Sequence, residues 1–131
     1  MQLKLNNDVI LDNLVSCNGG RRYVQGASRD SLEFQFPKGG KTVEEMDGLF
    51  RSENCQSMTI IDGEEQYIHN HYQIRAELSL KPVVITPATS EAQEVTEERI
   101  CVTMAQLTYS EIQIAALQAQ VNTILEAQNN A

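Results

Sequence analysis

The chain has 131 residues and a formal net charge of −8, with 41% hydrophobic and 21% charged residues. A chain of this length suits one domain that buries about two-thirds of the surface its unfolded form exposes, so neither disulfides nor a metal ion is needed for folding. The acidic balance disfavours binding to nucleic acid or to an anionic membrane, because Arg21, Arg22 and Arg29 are too few to form a basic stripe.

Targeting and disulfide signals are weak. No apolar run approaches the roughly 20 residues of a membrane span. Residues 1–5 alternate in polarity and lack the apolar core of a signal peptide, so we expect synthesis in the cytoplasm without a signal peptide. Cys17, Cys55 and Cys101 are an odd number and lie far apart, which predicts reduced thiols in or near the core.

The first forty residues predict short strands separated by turns. The Asn-Gly-Gly segment at residues 18–20 predicts a tight hairpin turn, because glycine and asparagine adopt positive φ angles readily. Residues 21–25 are then the returning strand, and another turn is expected around residues 26–30. Leu32, Phe34 and Phe36 alternate with polar residues. This alternation predicts a strand with one buried face and one solvated face.

A capping box predicts a short helix near residues 42–50. In Thr42-x-x-Glu45 the threonine hydroxyl can accept a hydrogen bond from the first helical turn, while the glutamate side chain reaches back to the threonine N–H. The apolar residues of this segment fall on one face at helical spacing: Val43, Met46, Leu49 and Phe50.

Strand signals resume at residue 57. Residues 57–61 lead into a turn at residues 62–64, and a longer alternating run follows. This run is typical of an antiparallel strand with one solvated face, and Pro82 places it at an edge or a bulge. The alternation predicts three of its residues to be largely buried, together with the face formed by Leu32, Phe34 and Phe36; these are Ile74, Leu78 and Leu80.

Residues 86–98 change character, with one proline, several glutamates and few large apolar side chains. This composition predicts an exposed acidic connection rather than a domain boundary, because another strand-like run follows. In that run Ile100, Val102 and Met104 alternate with Cys101 and Thr103.

A second capping box, Thr108-x-x-Glu111, predicts a helix from Tyr109 to about Ala127. The helix is free of glycine and proline, and its apolar residues trace a narrow seam: Leu107, Ile114, Leu117, Val121 and Ile124. One interpretation is burial of this seam on the sheet of the same chain, which its short length of about two heptads favours. The other interpretation is an interaction surface for self-association or for docking on a partner.

These elements together predict an α+β protein, either with a mostly antiparallel sheet or with a small β-sandwich or barrel. The expected organisation is a β-rich domain over residues 1–107, with the short helix near residues 42–50, followed by a C-terminal amphipathic helix over residues 108–127.

The pair His69-x-His71 is the most suggestive chemical feature. On a strand, residues two apart face the same side, so both imidazoles could reach one metal ion. A zinc site needs a third protein ligand, and none lies at a recognisable spacing. Carboxylate pairs at residues 44–45 and 64–65 are better explained as solvated surface. We therefore expect neither catalytic residues nor a cofactor.

Four segments resemble small uncharacterised proteins encoded among the tail genes of phages and prophages of Gram-positive gut bacteria. The segments are Arg-Asp-Ser-Leu-Glu-Phe-Gln-Phe-Pro at 29–37, Tyr-Gln-Ile-Arg-Ala-Glu-Leu at 72–78, residues 82–89, and Met-Ala-Gln-Leu-Thr-Tyr at 104–109. The resemblance implies a structural part of a tail or baseplate, made in the host cytoplasm and then carried in the virion, with other phage structural proteins as partners. The alternative hypothesis is a small ligand- or metal-binding domain that uses the region of His69 and His71.

Overall fold

The strands of the protein form two four-stranded antiparallel sheets. The computed structural model describes residues 1–129. In chain order the elements are β1 (Gln2–Lys4), β2 (Ile10–Leu11), β3 (Ser16–Val24), β4 (Ala27–Pro37), α1 (Val43–Leu49), a 3₁₀ turn (Ser52–Asn54), β5 (Ser57–Asp62), β6 (Glu65–Asn70), β7 (Ile74–Thr86), β8 (Val95–Ala105) and α2 (Tyr109–Asn129). Sheet A has the order β2-β1-β5-β6, and sheet B has the order β3-β4-β8-β7. The predicted α+β class, with antiparallel strands, one short helix and one long C-terminal helix, is confirmed.

The apolar faces of both sheets contribute to one hydrophobic core. Phe34 and Phe36 on β4 are fully buried, and their rings lie 6.0 and 6.1 Å from the ring of Phe50, which ends α1. Sheet A supplies residues such as Leu3 and Met58, which are also fully buried. The alternation of β4 therefore correctly predicted its buried face.

The N-terminus of α1 has the predicted capping box. Thr42 Oγ1 accepts a hydrogen bond from the Glu45 N–H at 3.1 Å, and Glu45 Oε1 accepts one from the Thr42 N–H at 3.3 Å. Met46 on the inward face of this helix is fully buried. Two side chains thus start a helix of only seven residues at a defined position.

The predicted turn at residues 18–20 is wrong. These residues lie inside β3, where Gly19 pairs with Leu32, and residues 21–24 continue the same strand. The hairpin instead turns at Gln25 and Gly26, whose φ angles are 48° and 80°. Two consecutive positive φ angles are typical of the hairpin turn whose twist matches that of its strands.

Leu80 was expected in the core, but it is 44% exposed. It lies on β7, an edge strand of sheet B, and pairs with the buried Ile100 at the margin of the core. Leu78 is only partly buried, whereas Ile74 is buried as predicted. The alternation assigned these residues to one face but did not determine how far the core extends beneath that face.

The acidic connection is shorter than predicted. β7 continues to Thr86 and β8 begins at Val95, so only residues 87–94 connect them. β4 ends opposite Arg99, and residues 82–98 continue as a two-stranded ribbon without a further strand pairing within residues 1–129. Pro82 lies on an edge strand, as its missing N–H predicts.

The second half of β8, residues 100–105, is buried on both faces, which its alternation did not predict. Cys101 and Thr103 are as inaccessible as their apolar neighbours. Polar side chains of the adjacent strands link across this second face: Gln35 donates to Glu33 at 2.7 Å, and Arg99 donates to Gln35 at 2.9 Å. The polar face of this strand is therefore covered, because long polar side chains lie over the short side chains of Cys101 and Thr103.

Candidate interaction surface

The first turn of α2 is fixed by local hydrogen bonds. Glu111 Oε1 accepts from the Thr108 N–H at 2.9 Å, and Thr108 Oγ1 accepts from the Glu111 N–H at 3.3 Å, as in the predicted capping box. The helix continues to Asn129. Alanine and glutamine are its commonest residues, and both have a high helix propensity.

Arg29 joins this first turn to the body of the protein. Its guanidinium is 3% exposed and forms a two-pronged ion pair with Glu111, in which Nη2 lies 3.0 Å from Oε2. The same guanidinium donates to the backbone carbonyls of Val24, Gln25 and Gln106 at 2.8, 3.3 and 3.2 Å. The start of α2 is therefore anchored to the β3–β4 turn.

This ion pair changes the acidity of both groups. The hydrogen bond from Arg29, with those from Thr108, lowers the pKa of the Glu111 carboxyl to about 2. The hydrogen bond to Glu111 raises the pKa of Arg29 above its ordinary value. Both groups keep their charges throughout the physiological pH range, so the anchor is not a pH switch near neutrality.

Beyond the anchor, α2 is uncovered by the described part of the chain. Every residue from Gln113 to Gln128 is exposed. The exposed fractions of its large aliphatic side chains range from 51% to 58%, for Ile114, Leu117, Val121, Ile124 and Leu125. The interpretation in which the seam packs on its own sheet is therefore wrong.

The structure brings four of the five predicted seam residues together on this exposed stripe. We use the term seam below for Ile114, Leu117, Val121 and Ile124. Leu107 does not belong to it: it is half-buried, and its N–H donates to the carbonyl of His71 at 2.9 Å. The sequence reasoning missed Leu125, which the spacing of four residues from Val121 could have identified.

The opposite side of α2 faces the body across a cleft. The cleft has a volume of about 620 Å³. Small or aliphatic residues of the helix line one wall: Ile112, Ala115, Ala116 and Ala119. Polar residues around the 3₁₀ turn line the other wall, among them Ser52, Gln56 and Gln73. The helix therefore presents apolar surface on two sides. A helix that is apolar on more than one side is typical of a buried element.

The flanks of the seam carry no charge. Gln113, Gln118 and Gln120 lie beside it, and the charged residues of α2 are Glu111 and Glu126. Glu111 is already paired with Arg29. Electrostatic repulsion along the seam is therefore small, although the whole chain has a net charge of −8.

The two histidines are not aligned by a strand. His69 lies on β6, and its ring makes an edge-on contact with Tyr72 at 5.8 Å between centroids. His71 lies beyond the end of β6 with φ of 66°, and its Nδ1 is 3.3 Å from Gln73 Oε1. Within residues 1–129, no group of three or more histidine, cysteine or acidic side chains is placed to hold a metal ion. The metal-site hypothesis assumed that both histidines lie on one strand and face the same side, and this assumption is wrong.

The cysteines are poor nucleophiles. Burial raises the pKa of the Cys17 thiol to about 11 and that of the Cys55 thiol to about 12, and it also raises the pKa of Cys101. A thiol reacts through its thiolate form, which is scarce at neutral pH when the pKa is this high. All three are free thiols in structural surroundings, as the sequence predicted.

The arginines that could attract an anionic polymer are engaged within the chain. Arg21 pairs with Asp30 at 2.7 Å and Arg22 with Glu77 at 3.4 Å, and Arg29 is buried against Glu111. No helix in the described range has the length and apolar character needed to cross a membrane. No protein-family model matches the chain, and no curated protein or solved structure matches it.

Proposed function

We propose that the protein is a non-enzymatic structural or assembly component of a phage or prophage tail or baseplate, and that it acts through contacts with other proteins. The exposed seam on α2 is the observation that carries this proposal. The phage setting is supported by the resemblance of the four segments described above.

α2 is a long helix that extends well beyond its anchored first turn. Its 21 residues extend for about 32 Å at about 1.5 Å per residue. Only the first turn is anchored, through Glu111. A single helix in water is marginal unless its apolar face is covered, because most helix stability in proteins comes from packing. An uncovered helix with aliphatic residues at seam spacing therefore requires a partner surface.

The size of the seam indicates what kind of contact it supports. Complete burial of a leucine, isoleucine or valine side chain contributes about 1.5–3 kcal/mol, so covering the exposed half of each contributes roughly 1 kcal/mol. With Leu125 included, one helix gains about 5 kcal/mol and a pair of helices about 10 kcal/mol. Association itself costs about 4–15 kcal/mol. A single contact is therefore weak, and several simultaneous contacts in a particle would strengthen it.

The alternative function, a ligand- or metal-binding domain at His69 and His71, has less support. The two rings are held by different local structures: His69 contacts Tyr72, and His71 contacts Gln73. The cleft beside His71 is open, and its wall on α2 consists of Ile112 and three alanines. This wall is better suited to packing against another protein surface than to orienting a small polar ligand.

The test is incorporation into particles. A lysogen that encodes the protein is induced, virions are purified on a density gradient, and peptides are quantified against the major tail protein. We expect a fixed number of copies per particle. A lysogen with Leu117→Glu/Ile124→Glu should lose incorporation, whereas the control Thr123→Glu, on the same helix but outside both the seam and the cleft, should retain it. Abundant intracellular protein that is absent from purified particles would contradict the proposal.

A further inference from the structure

We infer that the surface covering the seam is the same seam on a second copy of this chain, with the helices side by side and parallel. This inference rests on the proposed function and names the partner in that contact. It makes the exposed stripe of Ile114, Leu117, Val121 and Ile124 the centre of a homo-oligomer.

The charges of α2 favour a partner with the same sequence. Positions that flank a helical seam usually select the partner through opposite charges. Here those positions are uncharged, so identical helices do not repel one another; they are Gln113, Gln118, Gln120, Leu125 and Ala127. α2 also lacks any lysine or arginine that would attract an acidic partner of different sequence. The amide side chains can instead hydrogen-bond across a symmetric interface.

The seam residues favour a small parallel oligomer. In heptad terms, Ile114 and Val121 occupy the first seam position, and Leu117 and Ile124 occupy the second. β-Branched residues at the first position with leucine at the second favour two parallel helices, whereas isoleucine at both positions favours more. The pair Ile114 and Leu117 matches the first pattern, whereas the pair Val121 and Ile124 has a β-branched residue at both positions and is closer to the second. Two or three copies are therefore expected.

The anchor at Arg29 favours this assembly. It holds the first turn of α2 against the β3–β4 turn, so the helix leaves each body in a fixed direction. Ile114 lies within one turn of Glu111, which places the first seam layer close to the bodies. Less conformational freedom is then lost on association than for a helix on a flexible linker.

Disulfide trapping tests the orientation in the full chain. In a parallel pair, Ile114→Cys lies opposite itself and should cross-link rapidly under mild oxidation. In an antiparallel pair residue 114 lies opposite residue 124, so self-cross-linking at 114 would be slow. Thr123→Cys, on the outer side of the same helix, is the control for random collision. The native thiols react slowly because their pKa values are raised by burial. Slow cross-linking at 114, equal to that at 123, would overturn the parallel arrangement.

Sedimentation velocity over a wide concentration range tests the partner. We expect concentration-dependent association of the wild type and a dissociation constant at least 100-fold higher for Leu117→Glu/Ile124→Glu. These side chains are exposed in the single chain, so the variant should keep the wild-type near-ultraviolet spectrum. The control Thr123→Glu, outside both the seam and the cleft, should associate as the wild type does.

The two proposals fail in distinguishable ways. A strictly monomeric wild type whose incorporation into particles still requires Leu117 and Ile124 would overturn the self-association but support the proposed function. An oligomer that is unchanged by Leu117→Glu/Ile124→Glu would also overturn the inference, because the contact would then lie elsewhere. A seam-dependent oligomer that never enters particles would support the self-association and contradict the proposed function.

Discussion

Replacement of Phe34 by alanine should remove a large part of the stability of the protein. Phe34 is fully buried on β4, and its ring packs 6.0 Å from that of Phe50. Removal of a buried phenylalanine ring costs about 3–5 kcal/mol, through lost burial and the cavity that remains. A domain of this size has a total stability of about 5–15 kcal/mol, so the variant should be folded but fragile.

Urea denaturation monitored by circular dichroism measures this change. With a denaturant dependence of about 2 kcal/mol per molar, the midpoint should fall by about 1.5–2.5 M. The thermal midpoint should fall by about 10–20 °C. The slope of the transition should stay the same, because the surface exposed on unfolding hardly changes.

Leu80→Ala is the matched control, because the sequence alternation predicted that Leu80 is buried whereas the structure leaves it 44% exposed. This substitution should cost less than about 1.5 kcal/mol, since no enclosed cavity is created. A loss for Leu80→Ala equal to that for Phe34→Ala would refute the placement of the core margin. A loss below about 1 kcal/mol for Phe34→Ala would refute the assignment of the β4 core face.

Three further predictions concern acid stability, glycine conformation and metal binding. The pKa of Glu111 is lowered from 4.5 to about 2 by its hydrogen bond with Arg29. Its stabilising contribution is therefore present above pH 4.5 and is lost as the pH falls through 2. In urea titrations, the difference in unfolding free energy between the wild type and Glu111→Gln should shrink as the pH falls from 4.5 to 2. Gly26→Ala should destabilise the protein by about 1–2 kcal/mol, because the φ angle of Gly26 is 80°. Gly48→Ala should stabilise it by about 0.5–1 kcal/mol, because Gly48 lies in α1 and an added Cβ would meet open space. Thermal denaturation measures both changes. Elemental analysis of untagged protein should find no stoichiometric zinc, and one equivalent that disappears in His71→Ala would contradict this expectation.

The features that sequence predicted well are those with local causes. Both capping boxes, Thr42 with Glu45 and Thr108 with Glu111, form as predicted, because four consecutive residues contain the whole interaction. The alternation around Phe34 identified its buried face, since the pleat alone determines which side each residue faces.

The errors have non-local causes. Gly19 is compatible with a turn, but the pairing of β3 with β4 places it within a strand and puts the turn at Gly26. The alternation through Leu80 determined a face, whereas its exposure depends on where the core ends. For α2 the spacing identified the seam from Ile114 to Ile124, but whether a surface covers it depends on the rest of the fold and on other chains.

The position of β8 in the middle of sheet B has a consequence for folding during synthesis. β8 pairs with β4 through contacts such as Ser31 with Ala105, which span about half of the chain, and contacts this distant form slowly. Sheet B therefore lacks its central strand until residue 105 has left the ribosome. α2 follows β8 in the chain, so Glu111 meets Arg29 only after that. The anchor between Glu111 and Arg29 is therefore the last of these contacts that synthesis makes possible.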